Sequence, residues 1–250
     1  SVMSGIRLLR RGRRRAGRRH ARWTRATLDP QIHDRSCEGP MTDIHWPDYY
    51  AVTVGRPAWD TTVDAAERFA TEDGDGGGAP ARLAVDLGCG AGRDARELLR
   101  RGWRVLAVDR EGSAIDALVA ATPEGDRGRL EGRVADLASL ELPPCDLVIA
   151  SVSLQLLPPA DYAAVFRRIT AAVRPGGRFA GLVYADRDES AGDPDVTCPS
   201  PDAIREHLAA FEVESWFERE EDGHTALGDP HHVHLIEVVA RRRPDREAAA

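Results

Sequence analysis

Short apolar runs separated by polar, helix-patterned stretches recur along most of the chain. Residues 83–85 (LAV), 103–109 (WRVLAVD), 129–137 (RLEGRVADL), 144–151 (PCDLVIAS) and 178–184 (RFAGLVY) have the length and character of strands. The clearest helical pattern lies between the last two, over 159–173. There Tyr162, Val165, Phe166, Ile169 and Val173 recur at three- and four-residue spacing, with Arg167 and Arg168 between them. Prolines open that helix and Pro175-Gly176 follows it, which is sensible punctuation. Residues 61–70, 93–99 and 200–210 read as further helices, and 211–218 and 233–240 as two late strands. Such alternation predicts an α/β fold, a mostly parallel sheet with helices on both faces. Residues 41–243 are long enough for one domain of this kind.

The chemistry concentrates where the first strand meets the helix at 93–99. Asp86-Leu87-Gly88-Cys89-Gly90-Ala91-Gly92 is a strand end and a glycine turn, a place where a nucleotide-like ligand can lie against bare backbone. Two occupants compete. A dinucleotide loop reads G-x-G-x-x-G, which would suit a nicotinamide dehydrogenase. Here the glycines are Gly88, Gly90 and Gly92, Arg93 stands next, and Asp86 precedes the first glycine by two places. Downstream, Asp109 ends the second strand, where a carboxylate can accept both hydrogens of a ribose diol. Asp136 ends the third strand, and Arg174-Pro175-Gly176-Gly177 forms a break before the fifth.

These marks together resemble the class I S-adenosylmethionine-dependent methyltransferases. The continuation through Arg93-Asp94-Ala95, Leu98-Leu99 and Gly102-Trp103-Arg104-Val105 is similar to their tellurite-resistance and thiopurine-type small-molecule branch. So are Trp46-Pro47-Asp48-Tyr49-Tyr50 with Gly55-Arg56-Pro57, and Asp186-Arg187-Asp188 with a late His-x-His. The resemblance covers nearly all of residues 45–242. It implies a Rossmann-like seven-stranded sheet whose last strand pair is antiparallel. It also implies S-adenosylmethionine as cofactor and S-adenosylhomocysteine as product. Asp86, Gly88, Cys89 and Gly90 would shape the pocket for the methionine part, with Arg93 a candidate for its carboxylate. Asp109 would take the ribose, with Arg110 beside it. Asp136 and Leu137 would hold the adenine, and Ser151 would lie under the sulfonium. On the acceptor side Trp46 and Tyr50 could close over the methyl group, and Arg187 or His232 could bind an anion. No general base is assigned, because soft sulfur, selenium or tellurium nucleophiles need none.

Composition adds three expectations. Residues 1–40 hold 11 of the 34 arginines, and the chain has no lysine. That extension reads as a segment that does not fold, with an RNA- or membrane-binding arm as the rival reading. Residues 71–81 (TEDGDGGGAPA) read as a flexible loop after an N-terminal lid and helix region at 41–70, and 244–250 as a charged tail. Cys37, Cys89, Cys145 and Cys198 are scattered without a C-x-x-C, and His231, His232 and His234 have no cysteine nearby, so no metal site is expected. No apolar run approaches a membrane span and no secretory signal is present, which suggests a cytoplasmic protein. The expected activity is methyl transfer to a small molecule or small oxyanion. RNA methylation, or cofactor binding without turnover, are the alternatives, and nothing in the sequence fixes an oligomeric state.

Overall fold

The computed structural model describes residues 45–74, 81–225 and 227–245. Seven strands, β1 (Leu83–Leu87), β2 (Arg104–Asp109), β3 (Leu130–Val134), β4 (Cys145–Ser151), β5 (Val173–Tyr184), β6 (Phe211–His224) and β7 (Pro230–Arg242), form one sheet. Their order is β3-β2-β1-β4-β5-β7-β6. Strands β1 to β5 run parallel, whereas β7 is antiparallel to both β5 and β6. Between β1 and β4 the direction of winding reverses. In an open α/β sheet that reversal leaves a crevice at the carboxyl ends of the strands.

The central strands are buried on both faces, which is why they read as unbroken apolar runs. The helices are α1 (Trp46–Thr53), α2 (Asp60–Asp73), α3 (Arg93–Arg100), α4 (Gly112–Ala121), α5 (Glu124–Arg127), α6 (Pro159–Ala172) and α7 (Pro201–His207). One core layer joins Tyr162, Val165, Phe166 and Ile169 of α6 to Phe179, Val183, Ile236 and Val238 of the sheet. The other joins Ala65 and Phe69 of α2 and Ala95, Leu98 and Leu99 of α3 to Ala84, Val105, Ala107 and Ile149. Helices therefore cover both faces. No described helix is long and apolar enough to cross a membrane.

Several boundaries differ from those read in the sequence. Strand β5 begins at Val173, not Arg178, and carries the Pro-Gly-Gly within it. Val173 is opposite Cys145 and Arg178 opposite Leu147, so the extra residues are looped out. A Cβ on Gly177 would stand 2.6 Å from the Asp146 carbonyl, which explains the glycine there. Helix α2 continues through Thr71–Asp73, residues expected in the loop, because Glu72 is bonded to Arg178 of β5. The β6–β7 hairpin extends beyond both expected strands. Its outer residues pair across the strands with polar side chains and show no apolar alternation. The expectations for residues 1–40, for most of the 71–81 loop and for the end of the 244–250 tail lie outside the described residues.

Candidate functional site

The glycine loop follows β1 and is held by its own backbone. The N–H groups of Gly88 and Cys89 both donate to the Val108 carbonyl (2.8 and 3.0 Å), and that of Gly92 donates to the Cys89 carbonyl (2.9 Å). The Gly90 N–H donates to Oδ2 of Asp109 at 2.9 Å. Two glycines are required sterically. A Cβ on Gly88 (φ 70°) would stand 2.4 Å from Ser153 Cβ, and one on Gly92 (φ 76°) 2.2 Å from Leu118 Cδ1 of α4. Gly90 differs: a Cβ there would make ordinary contact with the Tyr50 ring at 3.5 Å, and it is the backbone at φ 50° that favours glycine. Ser153 also donates its hydroxyl to the Leu87 carbonyl (2.6 Å), tying the turn after β4 to the end of β1. In that turn Val152 adopts φ 56°, a strained conformation for a β-branched residue.

Beneath the loop lie two buried carboxylates. Asp86, in β1, is 2% exposed, and Asp94, in the first turn of α3, is 3% exposed. Oδ1 of Asp94 accepts the Trp59 N–H at 2.9 Å. The Ala95 N–H at the start of α3 favours the charged form of Asp86, yet Oδ2 of Asp86 has no hydrogen-bond partner. Burial, and then the charges of Asp94 and Asp109, push Asp86 well above the usual carboxylate range. Burial raises Asp94 as well, opposed by the Trp59 N–H and by Ser151, Arg93 and Thr62.

Asp109 ends β2 with both oxygens engaged, Oδ2 by Gly90 and Oδ1 by the Glu111 N–H at 3.0 Å. Each oxygen keeps a further lone pair. Asp136 follows β3; its Oδ1 accepts the Ala138 N–H at 2.8 Å. Helix α1 closes the other side. Trp46, Tyr49 and Tyr50 pack ring on ring at 5.6–6.0 Å, and Tyr50 rests with Ala91 and Ala114. The Arg93 guanidinium lies 4.0 Å over the Trp59 ring and donates to the Pro57 carbonyl at 2.7 Å. The cleft opens to solvent, and its volume with that open part included is about 1000 Å³.

The structure brings Asp86, Gly88, Cys89, Gly90, Arg93, Asp109, Arg110, Asp136, Leu137 and Ser151 onto the wall of this one cleft, with Trp46 and Tyr50 facing them. Arg187 and His232 are corrections, since neither reaches it. Arg187 is spent on Glu218 and Glu220, each at 2.9 Å, and His232 on Asp222 at 2.7 Å, all on the hairpin side of the sheet. Among the lining residues not named as site candidates from the sequence are Tyr49, Trp59, Asp94, Val152 and Ser153. Asp94 had the best signal, an acid in the first turn of a helix that opens on a glycine loop.

Comparison with known proteins agrees with this geometry. Residues 84–177 match a family model described as a methyltransferase domain. An uncharacterized methyltransferase of Mycobacterium tuberculosis (strain ATCC 25618 / H37Rv) is 37% identical over 116 residues, 46% of this chain and 44% of that protein. A carboxy-S-adenosyl-L-methionine synthase of Psychrobacter arcticus is 35% identical over 117 residues, 42% of each. The chain thus spans under half the length of these curated relatives. The crystal structure of TehB from Haemophilus influenzae shares the fold, with a TM-score of 0.60 at 16% identity over 74% of this chain and 63% of that one. The matched region carries the glycine loop and the ends of β1, β2 and β4 that line the cleft, so this part of the chain is similar to a methyltransferase domain.

Proposed function

We propose that this domain transfers the methyl group of S-adenosylmethionine to a small-molecule acceptor. One observation carries the choice of cofactor over a dinucleotide. A pyrophosphate needs free loop N–H groups and a helix N-terminus. Here the N–H groups of Gly88, Cys89, Gly90 and Gly92 are bonded within the protein, and Asp86 stands at the start of α3 against the Ala95 N–H. A carboxylate already takes the place a phosphate would need.

The residues fit the proposed cofactor. Oδ2 of Asp86 offers a buried acceptor to an ammonium group, and Asp109 offers its remaining lone pairs to a ribose diol. Gly90 brings bare backbone to the cleft wall beside the Tyr50 ring. Arg93, stacked on Trp59, lines the cleft as a candidate partner for a carboxylate. Asp136 and Leu137 stand where the adenine would end. The cofactor supplies a methyl group already activated on a sulfonium. The protein's work is then alignment and exclusion of water, and positioning of this kind can contribute roughly 7 kcal/mol or more. Trp46, Tyr49 and Tyr50 form the cover that keeps water out.

Titration calorimetry with S-adenosylhomocysteine and with NAD tests the reading. The expected result is saturable binding of S-adenosylhomocysteine and none of NAD; tight NAD binding would overturn it. Formation of S-adenosylhomocysteine from S-adenosylmethionine with a panel of thiols, selenite and tellurite then addresses the acceptor.

A further inference from the structure

The wall of the cleft has two halves of different chemistry. One half, drawn from residues 86–137, carries its acids: Asp86, Asp94, Asp109, Glu111 and Asp136. Among the described lining residues only two arginines answer them, Arg93 and Arg110. Nε of Arg93 is engaged by the Pro57 carbonyl, and Arg110 has Glu111 at 3.5 Å. The other half comes from residues 46–59 and from the turn after β4. It presents the rings of Trp46, Tyr49, Tyr50 and Trp59 together with Leu156 and Leu157. Two of its hydroxyls are occupied: Thr53 donates to the Tyr49 carbonyl at 2.8 Å and Ser153 to the Leu87 carbonyl at 2.6 Å. Burial pushes both tyrosine phenols up, so they stay protonated at neutral pH. No histidine or lysine stands among the described lining residues.

This wall selects its acceptor by exclusion. An oxyanion would enter a cleft where acids outnumber arginines, and would lose its water against rings and leucines. A phenol, alcohol or thiol needs a base to take its proton. The ring half holds none, and Asp94, Asp109 and Asp136 in the other half each accept a backbone N–H. What fits is a flat, uncharged nucleophile whose lone pair is free without deprotonation.

We propose that the acceptor is an uncharged aromatic nitrogen heterocycle, methylated on a ring nitrogen of the pyridine or imidazole type. The nitrogen lone pair forms the N–C bond as the C–S bond breaks, and the electrons of that bond return to sulfur. The positive charge passes from sulfur to the ring, so the net charge in the cleft does not change. The acids that favour the sulfonium therefore favour the product cation too, and aromatic faces suit it as well. Where the ring also bears an N–H, that proton leaves to solvent. The inference deepens the methyl-transfer reading and rests on it.

The test uses ring-matched probes on the full chain. The protein saturated with S-adenosylhomocysteine is titrated by calorimetry with quinoline and with quinoline-6-carboxylate. Turnover of S-adenosylmethionine is measured with quinoline, 2-naphthol, selenite and tellurite. Quinoline is expected to bind about tenfold or more tightly than its carboxylate. It should also be methylated about tenfold or more faster than 2-naphthol or either oxyanion. Leu156→Arg puts a cation into the ring wall and should move the binding preference toward the carboxylate. Several results would overturn the proposal: no binding of quinoline, equal or tighter binding of the carboxylate, quinoline bound but not methylated, or faster turnover of 2-naphthol, selenite or tellurite. The wild-type comparisons stand even if the variant fails to fold. Absence of S-adenosylhomocysteine binding would instead overturn the cofactor reading.

Discussion

Two buried charges in this protein are treated in opposite ways. Arg178, in the amino-terminal half of β5, has a side chain 1% exposed and is fully paired. Glu72 of α2 meets it at 2.5 Å and Glu214 of β6 at 2.7 Å, and it lies 4.4 Å over the Phe69 ring. Burial pushes Arg178 toward neutrality, but the two carboxylates outweigh this and hold it cationic. Asp86, at the carboxyl end of β1, faces two acids, Asp94 and Asp109, against the single Ala95 N–H, and has an oxygen with no hydrogen-bond partner. The first arrangement joins α2, β5 and β6 and needs nothing further. The second leaves an acceptor on the cleft wall, where we propose that the cofactor's ammonium group binds. Where a charge is structural the fold supplies its partner; where it serves binding, the partner is left to the ligand.

Substitutions at the two places should therefore separate stability from binding. The largest effect on stability is expected at Arg178. Arg178→Met leaves Glu72 and Glu214 facing each other, and removing one side of a buried pair costs roughly 3–5 kcal/mol. Glu72 is 35% exposed, so solvent screening lowers this to about 2–3 kcal/mol. Urea denaturation should show that loss, with affinity for S-adenosylhomocysteine unchanged.

Asp109→Ala should do the reverse. It removes the proposed ribose acceptor and the anchor of the Gly90 N–H. Loss of charge-assisted hydrogen bonds of this kind is worth about 2–3 kcal/mol, near a hundredfold in affinity by calorimetry. A loss confined to stability would merge the two regions into one structural role.

Asp86→Asn is expected to raise the stability of the free protein by about 1 kcal/mol at neutral pH, because the wild-type carboxyl must there either hold a proton or bury a charge. The pH dependence gives the sign. The folded value of Asp86 lies above its unfolded value of about 3.9, so its contribution to stability is complete below that pH. The contribution is lost as pH rises through the raised folded value. Thermal melts from acid to neutral pH should fall less steeply in the variant than in the wild type. The smallest effect is expected at Val152. Val152→Gly relieves a left-handed β-branched residue at a cost in unfolded-chain entropy, for a net gain of about 0.5–1 kcal/mol in a denaturant midpoint.

Much of the site was legible because its chemistry is local in sequence. Asp86, the three glycines and Arg93 are contiguous or nearly so, and Asp109 and Asp136 each end an apolar strand. The sheet was legible for the same reason: doubly buried strands appear as apolar runs. Tertiary partnership was not legible. Asp94 looks like any acid in a helix's first turn until Trp59, 35 residues away, is found bonded to it. Arg178 looks like the polar start of a strand until Glu72 and Glu214 arrive from distant segments. Arg187 and His232 do not line the cleft, and their pairing with acids of the hairpin strand β6 was not visible in the sequence. The hairpin's length was missed because β6 is an edge strand, whose charged residues hide the alternation that marks a strand.

The comparison between the two buried charges turns on the oxygen of Asp86, and one measurement reaches it most directly. Affinities of wild type and Asp86→Asn for S-adenosylhomocysteine and for 5′-methylthioadenosine should be determined side by side at neutral pH. The expected result is a loss of about tenfold or more for S-adenosylhomocysteine, with 5′-methylthioadenosine bound equally well by both proteins. Equal losses for the two ligands, or no loss for either, would contradict the claim that Asp86 is left unpaired to receive the ammonium end of the cofactor.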